Sequence, residues 1–135
     1  ASKSELTAAF NRVLESGWYV LGKEVNKFES EFANYCEVGN CIGVGNCLDA
    51  LQFILKSYNI GAGDEVIVPS NTYIATWLAV SNVGAIPIPV EPVIETYNID
   101  PNRIEKSLTS RTKYSFRIKE ESESTDIVEN TVFIA

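Results

Sequence analysis

Within eleven residues, 41–51 (Cys-Ile-Gly-Val-Gly-Asn-Cys-Leu-Asp-Ala-Leu), the chain reads as a strand, a tight turn and a helix start. A β-branched run from Cys41 to Val44 ends in Gly45-Asn46. Leu48, Leu51, Ile54, Leu55 and Tyr58 then recur at helical spacing. A strand passed so directly into a helix commits a chain to βα units, and those build parallel sheets covered by helices. The turn also leaves backbone N–H groups at the positive end of a helix dipole, where a phosphate can be held.

The flanking segments repeat the pattern. Glu65-Val66-Ile67-Val68-Pro69 reads as a strand buried on both faces. Asn71 or Thr72 can cap a helix reaching about Val83, which Gly84 stops. Ile86–Val90 is a strand whose Pro87 and Pro89 mark it as an edge or an irregular one. Asp100-Pro101 starts a helix to about Leu108, and a fourth strand opens near Lys113. Two helices come first. One runs from about Glu5 to Ser16, with Ser2 and Glu5 as a capping box and Leu6, Phe10, Val13 and Leu14 as its apolar stripe. The other runs from about Glu24 to Tyr35. Between them lies Trp18–Leu21, exposed or half-buried. The expected fold is α/β: a four-strand parallel sheet of βαβ units preceded by two helices.

At 135 residues the chain has room for one domain with a real core. A net charge of −7 argues against nucleic acid and against an anionic membrane surface. No apolar run is long enough to span a bilayer, and the polar start lacks a signal peptide's apolar core, so a cytoplasmic protein is expected. Cys36, Cys41 and Cys47 fit no zinc spacing, and no histidine is present to complete one or to serve a Ser-His or Cys-His pair. Free thiols are expected. Residues 120–129 hold five acids and no base, so 115–135 reads as a divergent acidic tail, disordered in part. Its last residues, Thr131 to Ala135, are β-prone and could complete one strand.

Two stretches could carry chemistry. Gly43-Val44-Gly45-Asn46-Cys47-Leu48 fails the dinucleotide fingerprint, because Leu48 stands at its third glycine, and it lacks the Gly-Lys of a P-loop. What survives is an anion cradle of backbone amides at Asn46, Cys47 and Leu48, or a plain strand-to-helix turn. Pro69–Trp77 follows a buried strand at its carboxyl end, the edge where open α/β sheets bind ligands. Tyr73 there could lay its ring on a flat ligand. Tyr73 and Trp77 could equally be packing, which is the expectation for Trp77.

Taken together, three segments resemble the DegT/DnrJ/EryC1/StrS family of pyridoxal-phosphate-dependent sugar-nucleotide aminotransferases. They are Ser16–Val25 with Phe28-Glu29, then Gly43–Leu51, then Gly63–Thr76. Val83-Gly84-Ala85, Val90-Glu91-Pro92 and Tyr97–Pro101 continue the likeness in order. The wording is similar to members that aminate the 3-position of dTDP-3-keto-6-deoxyhexoses, enzymes of amino-sugar and surface-polysaccharide biosynthesis. The resemblance implies part of a fold-type I large domain over 1–114. It also implies pyridoxal 5′-phosphate as cofactor, held through Gly45, Asn46 and Cys47 with Tyr73 stacked on its ring. Trp18–Gly22 would approach the substrate side. The substrate would be a nucleotide sugar, with a homodimer or a paralogue as partner.

The resemblance also marks two departures. Family members of this kind usually have glycine where Cys47 stands. The family's Schiff-base lysine and the aspartate on the pyridine nitrogen have no counterpart. None of the lysines (Lys3, Lys23, Lys27, Lys56, Lys106, Lys113 and Lys119) falls in the family's lysine motif, so no catalytic residue is carried over. The expectation is a truncated aminotransferase, inactive alone. The alternative is a non-catalytic binding or interaction protein that pairs with a full-length aminotransferase.

Overall fold

The computed structural model describes residues 2–115 and 131–134. They form two compact units that divide between Gly43 and Val44, with 131–134 belonging to the first.

The first unit holds two helices and a short strand. Helix α1 (Lys3–Ser16) opens on the expected capping box: Ser2 Oγ accepts the Glu5 N–H, and the Glu5 carboxylate accepts the Ser2 N–H at 2.6 Å. It closes at Gly17, whose φ of 66° is the left-handed conformation a C-terminal cap requires. None of its residues is buried, and Leu6, Phe10 and Leu14 of the apolar stripe are exposed. Helix α2 (Lys23–Tyr35) packs on β1 (Asn40–Gly43), inside which Cys41 is buried. Trp18–Leu21 is exposed throughout.

The second unit is the α/β part. Helix α3 (Cys47–Ser57), strand β2 (Glu65–Pro69), helix α4 (Ile74–Asn82), strand β3 (Ile86–Val90), helix α5 (Pro101–Ser107) and strand β4 (Thr112–Ser115) alternate as the sequence implies. Their sheet has the order β3-β2-β4, all parallel. Central β2 is buried from Glu65 to Val68. Leu55, Ile60, Val66, Val68, Ala79 and Val80 are core residues, against which Leu48, Leu51 and Trp77 pack. Trp77 is therefore packing, as expected. Proline-bearing β3 lies at one end of the strand order, where missing donors are tolerated. Gly84, at φ 85°, ends the α4 turn in a conformation that side chains rarely adopt.

Two expectations are corrected. The cap of α4 is neither Asn71 nor Thr72: Tyr73 holds the N-cap position, and the Thr72 hydroxyl instead meets that of Thr76 at 3.0 Å. The four-strand sheet is three-stranded, because β1 pairs in parallel with β5 (Thr131–Ile134) in a separate two-stranded sheet. Strand existence is written locally, but strand partners are long-range choices that a periodicity does not encode. The expectation of disorder over part of 115–135 falls on residues that lie mostly outside the described ones.

Candidate functional site: a cavity at the carboxyl end of β2

Asn46 starts α3 because its short amide can cap. Its Oδ1 accepts the Asp49 N–H at 2.9 Å, while its Nδ2 donates to Asp49 Oδ2 at 3.0 Å. Helix geometry leaves the N–H groups of Cys47 and Leu48 without a partner one turn back, so both remain available to an anion. Asp49 sits in that first turn, favourably placed on the dipole.

Cys47 is exposed and lines a cavity of about 570 Å³, together with Pro69, Asn71, Thr72, Thr76 and Tyr97. The cavity thus lies at the carboxyl end of β2, the kind of edge where open α/β sheets take ligands. Tyr97 carries a positive φ of 58°, and its carbonyl accepts the Asn71 side-chain amide at 3.0 Å. A left-handed backbone on an aromatic residue is unusual, and such positions gather at ligand sites.

Of the four residues singled out in the sequence, the structure brings only Cys47 into this cavity. Gly45 and Asn46 adjoin it along the chain, and a Cβ added at Gly45 would meet Asp49 Oδ2 at 3.2 Å. Tyr73 is 79% exposed and does not line the cavity. Asn71, Thr72 and Thr76 lie within the 69–77 stretch that follows a buried strand, whereas Tyr97 lies outside it and had no signal of its own.

Cys47 does not strain its turn. It is the first residue of α3 and is not among the positions with positive φ, so its backbone suits any side chain. Glycine is not required there.

The first unit has its own groove of about 730 Å³, lined by Arg12, Trp18, Tyr19, Leu21 and Glu24 among others. Arg12 holds Glu24 in a two-pronged pair, Nε to Oε1 at 2.6 Å and Nη2 to Oε2 at 3.1 Å. That hydrogen bond raises the guanidinium's pKa and lowers the carboxyl's. Among the described residues no cluster of His, Cys, Asp and Glu could hold a metal ion. No described helix is long and apolar enough to cross a membrane.

The profile of the DegT/DnrJ/EryC1/StrS aminotransferase family matches residues 1–118. The chain belongs to this family. A dTDP-3-amino-3,6-dideoxy-alpha-D-galactopyranose transaminase of Aneurinibacillus thermoaerophilus is 63% identical over 111 residues, which are 82% of this chain and 31% of that protein. Among solved structures, DesV of S. venezuelae superposes with a TM-score of 0.80 at 53% identity, over 84% of this chain and 30% of its own. The sugar aminotransferase Spr1654 of Streptococcus pneumoniae, solved in PLP and PMP forms, gives 0.79 at 30% identity, over 85% of this chain and 29% of its own. The chain therefore spans about a third of the length of the relatives it matches. The α/β fold and the family's cofactor class agree with what the sequence implied.

Proposed function

We propose that residues 1–114 form the cofactor-phosphate portion of a pyridoxal-phosphate-dependent aminotransferase acting on a nucleotide-linked keto-deoxysugar. In this reading residues 115–135 are a divergent tail. The observation that carries it is the first turn of α3, which presents the Cys47 and Leu48 amides beside the cavity that Cys47, Thr72 and Thr76 line. The residues suit a phosphate: the helix end is open and Cys47 sits in an ordinary backbone. When bound, the cofactor would supply an electron sink for moving an amino group. Gly45, Asn46 and Cys47 hold its phosphate through the backbone. Tyr73, exposed at the start of α4, is free to lay its ring on the pyridine.

In this reading the 135 residues alone do not complete the transamination cycle, since none of their lysines falls in the family's Schiff-base motif. Equilibrium dialysis with pyridoxal phosphate, followed by borohydride and mass spectrometry, tests both halves. Retention that inorganic phosphate displaces, without a stoichiometric lysine adduct, is the expected result. Retention that phosphate does not displace removes the phosphate reading, and a stable adduct or measured transamination removes the inactive one.

One observation favours a second reading, pairing with another copy or with a full-length aminotransferase. Leu6, Phe10 and Leu14 of α1 are 62%, 63% and 48% exposed along one helical stripe. Gel filtration alone and with such a partner separates the two, since co-elution that Phe10→Glu abolishes requires pairing.

A further inference from the structure

Building on the phosphate reading above, we infer that the hydroxyl pair of Thr72 and Thr76 is a second anchor for the ligand's phosphate, giving it one O–H beside the Cys47 and Leu48 amides. The two oxygens meet at 3.0 Å, partly buried, and both residues line the cavity that Cys47 lines. Each hydroxyl owns one hydrogen and two lone pairs. Whichever oxygen donates, one hydrogen is spent inside the pair, and the other has no acceptor among the described residues. Thr7, Ser30 and Ser81, by contrast, each donate to the carbonyl one turn back, at 2.9, 2.9 and 3.0 Å. Thr76, the third residue of α4, turns to Thr72 instead.

The rest of the wall explains why a neutral donor counts. Among the described residues that line the cavity, none carries a charged side chain. Asn71 already donates to the Tyr97 carbonyl at 3.0 Å, and Leu51, Ile99 and Ile104 are apolar. A phosphate in this cavity therefore draws on neutral donors, among them the first amides of α3 and the hydroxyl pair. A hydrogen bond onto an anionic oxygen is roughly twice as strong as one between neutral groups. Pyridoxal carries a neutral hydroxymethyl group where its phosphate ester is anionic, so the pair discriminates between the two ligands.

Calorimetric titration of the full chain with pyridoxal phosphate and with pyridoxal tests it. The parent is compared with Thr72→Val/Thr76→Val, which keeps the shape and removes both hydroxyls. Affinity for pyridoxal phosphate is expected to fall about tenfold or more, and that for pyridoxal less than about twofold. Thr72→Ser/Thr76→Ser keeps both oxygens and is expected to stay within about threefold of the parent for both ligands. An unchanged affinity for pyridoxal phosphate in the valine variant overturns the anchor and leaves the phosphate reading standing. Equal losses for the two ligands, or a loss that serine does not restore, make the pair a packing element and overturn the anchor too. If the parent binds pyridoxal as tightly as pyridoxal phosphate, or binds neither, the phosphate reading falls and the anchor with it. Should circular dichroism show the double variant unfolded, the two single valine variants decide. The hydroxyl that touches the phosphate then shows the selective loss, and no selective loss in either variant overturns the anchor.

Discussion

Glu29 and Gly43 are joined by a hydrogen bond of 2.7 Å, in which the carboxylate on α2 accepts the amide of the last residue of β1. The contact is partly buried, and it ties a helix to a strand across fourteen residues of sequence. Removing the acceptor leaves a shielded N–H with a poor alternative, which costs about 1–3 kcal/mol. Glu29→Ala should lower the free energy of unfolding by that amount, read as a fall in the urea midpoint at unchanged m. Glu29→Gln keeps an acceptor oxygen and should lose less than half as much. Equal losses in the two variants would show that the side chain's packing matters and its acceptor does not.

Cys41 lies next to the same carboxylate. Burial pushes its thiol above its ordinary value of 9.0, with smaller contributions in the same direction from Glu29 and Cys36. A thiol held neutral in the folded state keeps its proton where the unfolded chain gives it up. Stability is then undiminished below about pH 9 and falls as pH rises from there toward the folded value. Tyr114, also raised first by burial and then by Tyr58, adds to the same alkaline slope. Denaturation midpoints between pH 8 and pH 11 should therefore decline, and Cys41→Ala should flatten the early part of the decline.

In the second unit Glu65 is only 2% exposed, yet it starts the central strand. It is tolerated there because Arg111 pairs with its Oε1, Thr109 donates to its Oε2 at 2.6 Å, and its own N–H reaches the Arg111 carbonyl at 2.8 Å. The clamp fastens the start of β2 to the turn that enters β4. Arg111→Ala leaves a buried carboxylate with a hydroxyl as its main partner. A fully buried pair broken in this way costs about 3–5 kcal/mol. The Arg111 side chain is 60% exposed, so water screens part of that, and a loss of about 1–3 kcal/mol is expected. Arg111→Lys, which keeps the charge but loses the fork, should fall between. Chemical denaturation followed by the tyrosine signal reads the order.

How far the sequence reaches is visible in particular residues. Ser2 with Glu5 and Asp100 with Pro101 placed helix starts, because a cap acts within one turn of its own residue. The unbroken apolar run Val66–Val68 placed the buried strand, and the prolines of β3 placed it at an edge. The partner of β1 was not legible, since pairing is settled between segments some ninety residues apart. Thr76 and Tyr97 were missed at the cavity for the same reason: each is ordinary locally and becomes part of a site only when β2 and β3 lie side by side. The partners that make a buried Glu65 tolerable were not legible beside it, because Thr109 and Arg111 are more than forty residues away.

The first turn of α3 gives the most direct test of the phosphate reading. Asp49 lies there with its Oδ2 3.0 Å from the Asn46 amide nitrogen, so the helix end that would receive a phosphate already faces one negative charge. The carboxylate stabilises the helix through the dipole and at the same time repels a second anion. Asp49→Asn removes the charge and keeps a similar shape. A single charge at a helix end is worth about 0.3–1 kcal/mol at low salt, so affinity for pyridoxal phosphate should rise roughly two- to fivefold. Raising the salt to about 1 M shortens the screening distance to about 3 Å and should erase most of that gain. Pyridoxal without its phosphate should show no gain at either salt. Calorimetric titration of parent and variant with both ligands separates the outcomes, and an equal change for pyridoxal would move the anion away from the Cys47 and Leu48 amides.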